Sequence, residues 1–124
     1  MSDDERAAAR EQAEQVWRDV MQFDPVVTTD PYSEFTLDHV FGRVWSRDGL
    51  ARRDRRLVTL TVVAMSGQAV PLGTHLTAAL GSGDLTADEL HEWVLHLAHY
   101  AGWPIAATAY MTLRQVQAEA EDND

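Results

Sequence analysis

The tract from Leu57 to Leu80, LVTLTVVAMSGQAVPLGTHLTAAL, constrains the fold of this chain more than any other stretch. Helical offsets carry one row of Leu57, Leu60, Thr61 and Ala64, and a second row of Val58, Val62 and Met65 with Val63 between them. A helix apolar on most sides is buried on most sides, so the pattern predicts a helix from about Arg52 to Met65 with cover from several directions. Ser66-Gly67 breaks it, and a second helix from about Val70 to Leu80 carries His75 among Leu72, Leu76, Ala79 and Leu80. A histidine in such surroundings must find a partner or bear the cost of desolvation. It is presented to a pocket or an interface, or it is a satisfied structural residue.

Most of the remaining chain also reads as helical. Ser2 and Glu5 stand in capping-box register ahead of a helix to about Phe23, with Val16, Val20 and Phe23 on one face beside Trp17 and Met21. Asp24 to Pro31 has two prolines and β-branched residues, and reads as an extended crossing. Ser33 can cap a short helix through Phe35, Leu37, Val40 and Phe41, ending near Gly42 or Trp45. Thr86 to Glu89 is a second capping box, opening a helix to about Ala101 that is apolar at Leu90, Trp93, Val94, Leu97 and Ala101. Gly102 stops it, Pro104 begins the last helix to about Ala118, and residues 119–124 form an acidic tail expected to fray. No alternating strand pattern and no repeat is present. The expectation is an all-α fold of about six helices in one domain spanning residues 1–124.

Composition narrows the chemistry. The 124 residues contain no cysteine, which excludes disulfides, thiolate metal sites and cysteine nucleophiles. All ten basic residues are arginine, so no lysine is available for a Schiff base. A formal charge of -10 disfavours nucleic acid and anionic membranes as partners, while small anions could still meet the local cluster of Arg47, Arg52, Arg53, Arg55 and Arg56. Some of these arginines are expected to meet the chain's own carboxylates, such as Asp48 and Asp54. No apolar run approaches the roughly 20 residues that span a bilayer, and the N-terminus MSDDERAAAREQ does not read as a signal sequence, so a soluble cytoplasmic protein is expected.

Five histidines stand at 39, 75, 91, 96 and 99. His96 and His99 have a spacing that can bind metal if a third ligand converges, but His99 lies nearly opposite the apolar stripe and no HExxH accompanies them, so no metal site is expected. His91 lies on a polar face and reads as solvated. His96 flanks the stripe, where it could face a cleft or bond a neighbouring carbonyl. Trp45, Trp93, Trp103 and Tyr100 are core or interface aromatics by default.

The segment Phe41-Gly42-Arg43-Val44-Trp45-Ser46-Arg47-Asp48-Gly49-Leu50, then Arg52 to Ala64, His75-Leu76 with Ala79-Leu80, Val94-Leu95-His96 and Tyr100-Ala101-Gly102-Trp103-Pro104 resembles the carboxymuconolactone decarboxylase family over residues 32 to 117. The resemblance implies a small all-α fold shared with alkylhydroperoxidase D, assembled as trimers or hexamers with sites near subunit contacts. The peroxidase branch of that superfamily resembles Glu, then C-x-x-C, then His. Here the histidine matches His75, while the cysteine places fall on Gln68 and Pro71 and the glutamate place on about Arg56. Without a thiol to oxidise, a peroxidase is excluded.

The decarboxylase branch fits through Trp45, His75, His96 and the YAGxP turn. That branch typically carries an acidic residue where Arg43 stands, glutamates around Val70-Pro71, arginines at Gly73 and Thr77, and asparagines at Gly81-Ser82. The departures cluster where polar substrate contacts are expected. The resemblance implies a cofactor-independent decarboxylase acting on a small carboxylated unsaturated lactone or related keto acid, with His75 for proton transfer and His96 orienting or assisting it. Arg47 or Arg52 would bind carboxylate and Trp45 would wall the pocket, with Arg43 and Tyr100 as further substrate-binding candidates. The other reading is a non-catalytic oligomeric member that binds a small molecule or serves as a scaffold.

Overall fold

The computed structural model describes residues 1–26 and 29–123, and among them there are six α-helices, one π-helix and no strand. The helices are α1 (Asp3–Met21), α2 (Pro31–Phe35), the π-helix Thr36–Trp45, α3 (Arg52–Met65), α4 (Ala69–Ser82), α5 (Ala87–Ala101) and α6 (Trp103–Asp122). The all-α expectation holds. The chain divides into two compact units, Met1–Arg52 and Arg53–Asp124.

In the first unit Ser2 caps α1 by accepting a hydrogen bond from the Glu5 amide at 3.1 Å. Three acidic residues in its first turn suit the positive end of the helix dipole. The helix stops at Met21, two residues short of the expected Phe23, because Gln22 turns left-handed at φ 65° and donates its amide to the Arg18 carbonyl. Phe23 is consequently exposed. Val20, Met21 and Phe41 form a small core, with Val16, Trp17 and Trp45 packed against it.

The expected extended crossing ends sooner than its sequence suggests, and its centre, Val27 and Thr28, lies outside the described residues. Asp30, not Ser33, is the cap of the next helix. Its carboxylate accepts from the Ser33 amide at 2.9 Å, and Pro31 occupies a first-turn position where its missing N–H leaves no helical bond unmade. After Phe35 the chain widens into the π-helix, which packs on α1. Gly42 permits that approach, since a Cβ there would lie 3.0 Å from the Ala13 Cβ.

In the second unit α3 has the expected bounds but not the expected cover. Leu60 and Ala64 are buried and Leu57 packs on the core, whereas Val58, Val62 and Met65 are exposed. Ser66, Gly67 (φ 74°) and the extended Gln68 turn the chain into α4, with Leu72, Leu76, Ala78 and Ala79 buried. Thr86 and Glu89 form the complete capping box of α5, at 3.0 and 3.1 Å. That helix buries Leu90, Val94, Leu97 and Ala98 on one face. Gly102, at φ 96°, ends α5 and starts α6. α6 continues as helix to Asp122, past the expected end near Ala118, so the acidic segment from Glu119 forms its last turn. Leu60, Leu72, Leu76, Leu90 and Leu113 are fully enclosed here, each contributing on the order of 1.5–3 kcal/mol from apolar burial.

Candidate active site

His75 sits midway along α4, one residue before the fully buried Leu76, and is itself half-buried. Its Nδ1 is enclosed and has no hydrogen-bond partner. Burial, and secondarily the positive charge of Arg56, push its pKa below the ordinary histidine value. No hydrogen bond or ring contact joins it to His96 among the described residues.

Arg56 is the feature that sequence reasoning did not connect to His75. It is 0% exposed, the sole charged residue buried to that degree among those described. Its Nε and Nη2 both lie 2.9 Å from Asp84 Oδ2, in the turn after α4. The signal was present in the spacing, because Arg56, Leu60 and Ala64 fall at successive i,i+4 positions and all three are buried. Of the carboxylates expected for the cluster Asp54 is met, and closer partners come from farther along the chain. Arg53 reaches Asp54 only at 4.0 Å and pairs closely with Glu89 on α5. The Thr86 backbone amide, aided by the Arg53 bond, holds Glu89 below the usual carboxylate range.

The histidines of α5 have separate local roles. His96 is exposed and stacks on Tyr100 at a centroid distance of 5.0 Å, so these two candidates are brought together. His91, expected to be solvated, is instead half-buried and shares a 2.7 Å hydrogen bond with Gln117 of α6. The His99 ring pairs with the Leu95 carbonyl at 2.7 Å through Nδ1. A cavity of about 410 Å³ opens between α5 and α6, lined by Val94, Leu95, Ala98, Trp103, Tyr110 and, at its polar edge, His91. His75 does not line it.

The other candidates belong to the first unit. Trp45 is half-buried and stacks nearly parallel on Phe41 at 6.3 Å. Arg43, Arg47 and Arg52 are exposed. Arg43 borders a cavity of about 570 Å³ beside Arg10 and Asp38, which form a fork-shaped ion pair at 2.6 and 2.7 Å. Among the described residues no three histidine, aspartate or glutamate side chains are grouped to hold a metal ion.

Residues 31–114 match the family model described as the carboxymuconolactone decarboxylase family. The chain is 39% identical over 85 residues to a 4-carboxymuconolactone decarboxylase of Acinetobacter baylyi, covering 68% of this chain and 63% of that protein. It is 34% identical over 87 residues to a nitrosuccinic acid decarboxylase of Metarhizium robertsii, covering 70% of this chain and 60% of that protein. The matched region thus spans about three fifths of these relatives' length.

Proposed function

Because the chain belongs to the carboxymuconolactone decarboxylase family, whose fold is all-α and alkylhydroperoxidase D-like, we propose that it is a cofactor-independent carboxy-lyase acting on a small carboxylated unsaturated lactone or related keto acid. The observation that carries this reading is His75, a half-buried imidazole on an otherwise apolar helix face, in a chain similar to two decarboxylases. In the reaction the bond to the carboxylate carbon breaks, carbon dioxide leaves, and the bonding electrons delocalise onto the lactone carbonyl oxygen until a carbon is protonated. The developing anion needs hydrogen-bonding or cationic stabilisation in a site of low dielectric. His75 supplies the polar contact or the proton, assisted by His96, while Arg47 or Arg52 binds the carboxylate. Trp45 walls the pocket, and Arg43 and Tyr100 contact substrate. The assembly is a homo-oligomer, a trimer or hexamer.

A non-catalytic small-molecule-binding scaffold is the second reading, favoured by Val70, Pro71, Gly73 and Thr77 standing where the family typically carries charged groups. The test is His75→Gln, assayed on carboxylated unsaturated lactones and vinylogous keto acids with thermal melting in parallel. Loss of turnover on the order of 10²–10⁴ with little change in melting supports catalysis through His75. Turnover reduced only a few fold, with a large fall in melting temperature, makes His75 structural. Wild-type protein that binds members of the panel beside His75 in crystals without turning them over supports the scaffold.

A further inference from the structure

Resting on the reading of His75 as the polar group of the site, we propose that His75 works as a neutral imidazole carrying its proton on Nε2, and that the buried Arg56 guanidinium is the positioning residue that keeps it so. Two features of the fold select this state. Nδ1 is enclosed without a partner, so a proton placed there would be a buried N–H donor with no acceptor. Leaving Nδ1 as a bare lone pair is the smaller cost, and the proton then belongs on Nε2. Doubly protonating the ring would also add a second positive charge to an interior that already encloses the Arg56 guanidinium. Arg56 is 0% exposed and fixed by two hydrogen-bonding contacts to one oxygen of Asp84.

Polar and charged groups face α4 from its neighbouring elements. α3 contributes Arg56, and the turn after α4 contributes Asp84. α6 contributes the uncharged Thr112 opposite Gly73, and Glu119 beside Thr77, Leu80 and Gly81. Of these, Arg56 disfavours charge on the His75 ring, in the same direction as burial, and the Asp84 carboxylate bound to it offsets part of that effect. Among the described residues no carboxylate hydrogen-bonds the His75 ring, which distinguishes it from a histidine held as an acid–base shuttle.

The chemistry follows from that state. A neutral imidazole is too weak an acid to hand its Nε2 proton to carbon, so His75 donates a hydrogen bond to the lactone carbonyl oxygen as negative charge grows there. When the carbon–carboxylate bond breaks, carbon dioxide leaves without the bonding pair, which moves to that oxygen. Water then protonates carbon and is left as hydroxide. His75 ends the cycle as it began.

The test reads the ring directly by long-range proton–nitrogen NMR on the ¹⁵N-labelled full chain, the His75 signals being identified by their loss in His75→Gln. Wild type should show the neutral Nε2–H pattern at pH 7 and titrate below a solvent-exposed histidine. Asp84→Asn, which removes the negative charge that offsets part of the Arg56 field at the ring, should move the His75 midpoint down. The double variant Arg56→Met, Asp84→Leu, which removes both charges while keeping apolar volume, should move it up relative to Asp84→Asn and to wild type. Opposite shifts from two folded variants are not produced by a purely structural role. An Nδ1–H pattern or an imidazolium at pH 7, or a midpoint unmoved in both variants, overturns the proposal. If only the double variant fails to fold, Asp84→Asn decides alone: a downward shift supports the proposal, and none overturns it. The measurement needs no turnover, so a protein that shows the Nε2–H state yet decarboxylates nothing refutes the enzymatic reading and leaves the ring assignment standing.

Discussion

The indole N–H of Trp93 on α5 donates to the Thr61 hydroxyl oxygen on α3 at 3.1 Å, while that hydroxyl donates in turn to the Leu57 carbonyl at 2.8 Å. A threonine in an apolar row and a tryptophan in an apolar stripe are thereby satisfied by one another. Thr61→Val should leave the indole N–H without its acceptor and cost about 1–3 kcal/mol. Trp93→Phe removes the donor together with packing and should cost somewhat more. Urea denaturation of the two single variants and the double variant should show a double-mutant loss smaller than the sum of the singles. Additive losses would mean the hydrogen bond contributes nothing.

Gly42 faces the Ala13 Cβ, and a methyl group built on it would come within 3.0 Å. Both atoms stand on helical backbone, so relief requires moving a helix. Gly42→Ala gains about 1 kcal/mol of helix propensity but should lose about 1–3 kcal/mol to overpacking, giving a net destabilisation in a denaturant titration. Introduced into an Ala13→Gly background, the same change should be neutral or stabilising. A stabilised single variant would show that α1 and the π-helix separate easily.

Much of the fold was legible because the local signals agreed with one another. The α5 boundaries follow from Thr86, Glu89 and Gly102, each of which has one strongly preferred place in a helix. Asp30 went unread as a cap because Pro31 after it suggested an extended crossing, although proline is equally suited to a helix's first turn. The π-helix has no compositional signature that separates it from an α-helix. The outer row of α3 was legible as apolar but not as exposed, since periodicity reports which faces are apolar and says nothing of what covers them. At the candidate site, His75 stood out as a polar residue among leucines and alanines. Its relation to Arg56 did not, because an arginine run at a helix start reads as solvated unless its i,i+4 register with Leu60 and Ala64 is followed through.

His75 gives the protein a predictable response to acid. Burial, reinforced by Arg56, lowers its folded-state pKa below the ordinary 6.5, so on acidification the unfolded chain binds a proton first. The contribution of neutral His75 is complete above about pH 6.5 and declines as pH falls from there toward the folded-state pKa. His75→Gln lacks this term, and the other histidines cancel in the comparison. The stability of the variant relative to wild type should therefore improve between about pH 7.5 and about pH 5.5. A difference in urea midpoint that stays constant over that range would mean His75 titrates alike in the folded and unfolded chains.

The outer face of α3 bears on assembly. Val58, Val62 and Met65 are 60%, 66% and 51% exposed, successive positions on one helical row that lies outside the core cluster of its own unit. Covering such side chains is worth on the order of 1.5–3 kcal/mol each, and a second copy of the chain offers the same row. In the proposed homo-oligomer this row is expected to lie in the interface. Val62→Glu should then be close to neutral for an isolated chain, as surface substitutions within about 0.5 kcal/mol are, yet should oppose assembly by placing an unpaired charge in an apolar contact. Light scattering should give a wild-type mass well above the 13.9 kDa of one chain, and a Val62→Glu mass shifted toward it with helical circular dichroism retained. A monomeric wild type would remove the oligomer. A Val62→Glu variant that assembles as tightly as wild type would move the interface to another surface.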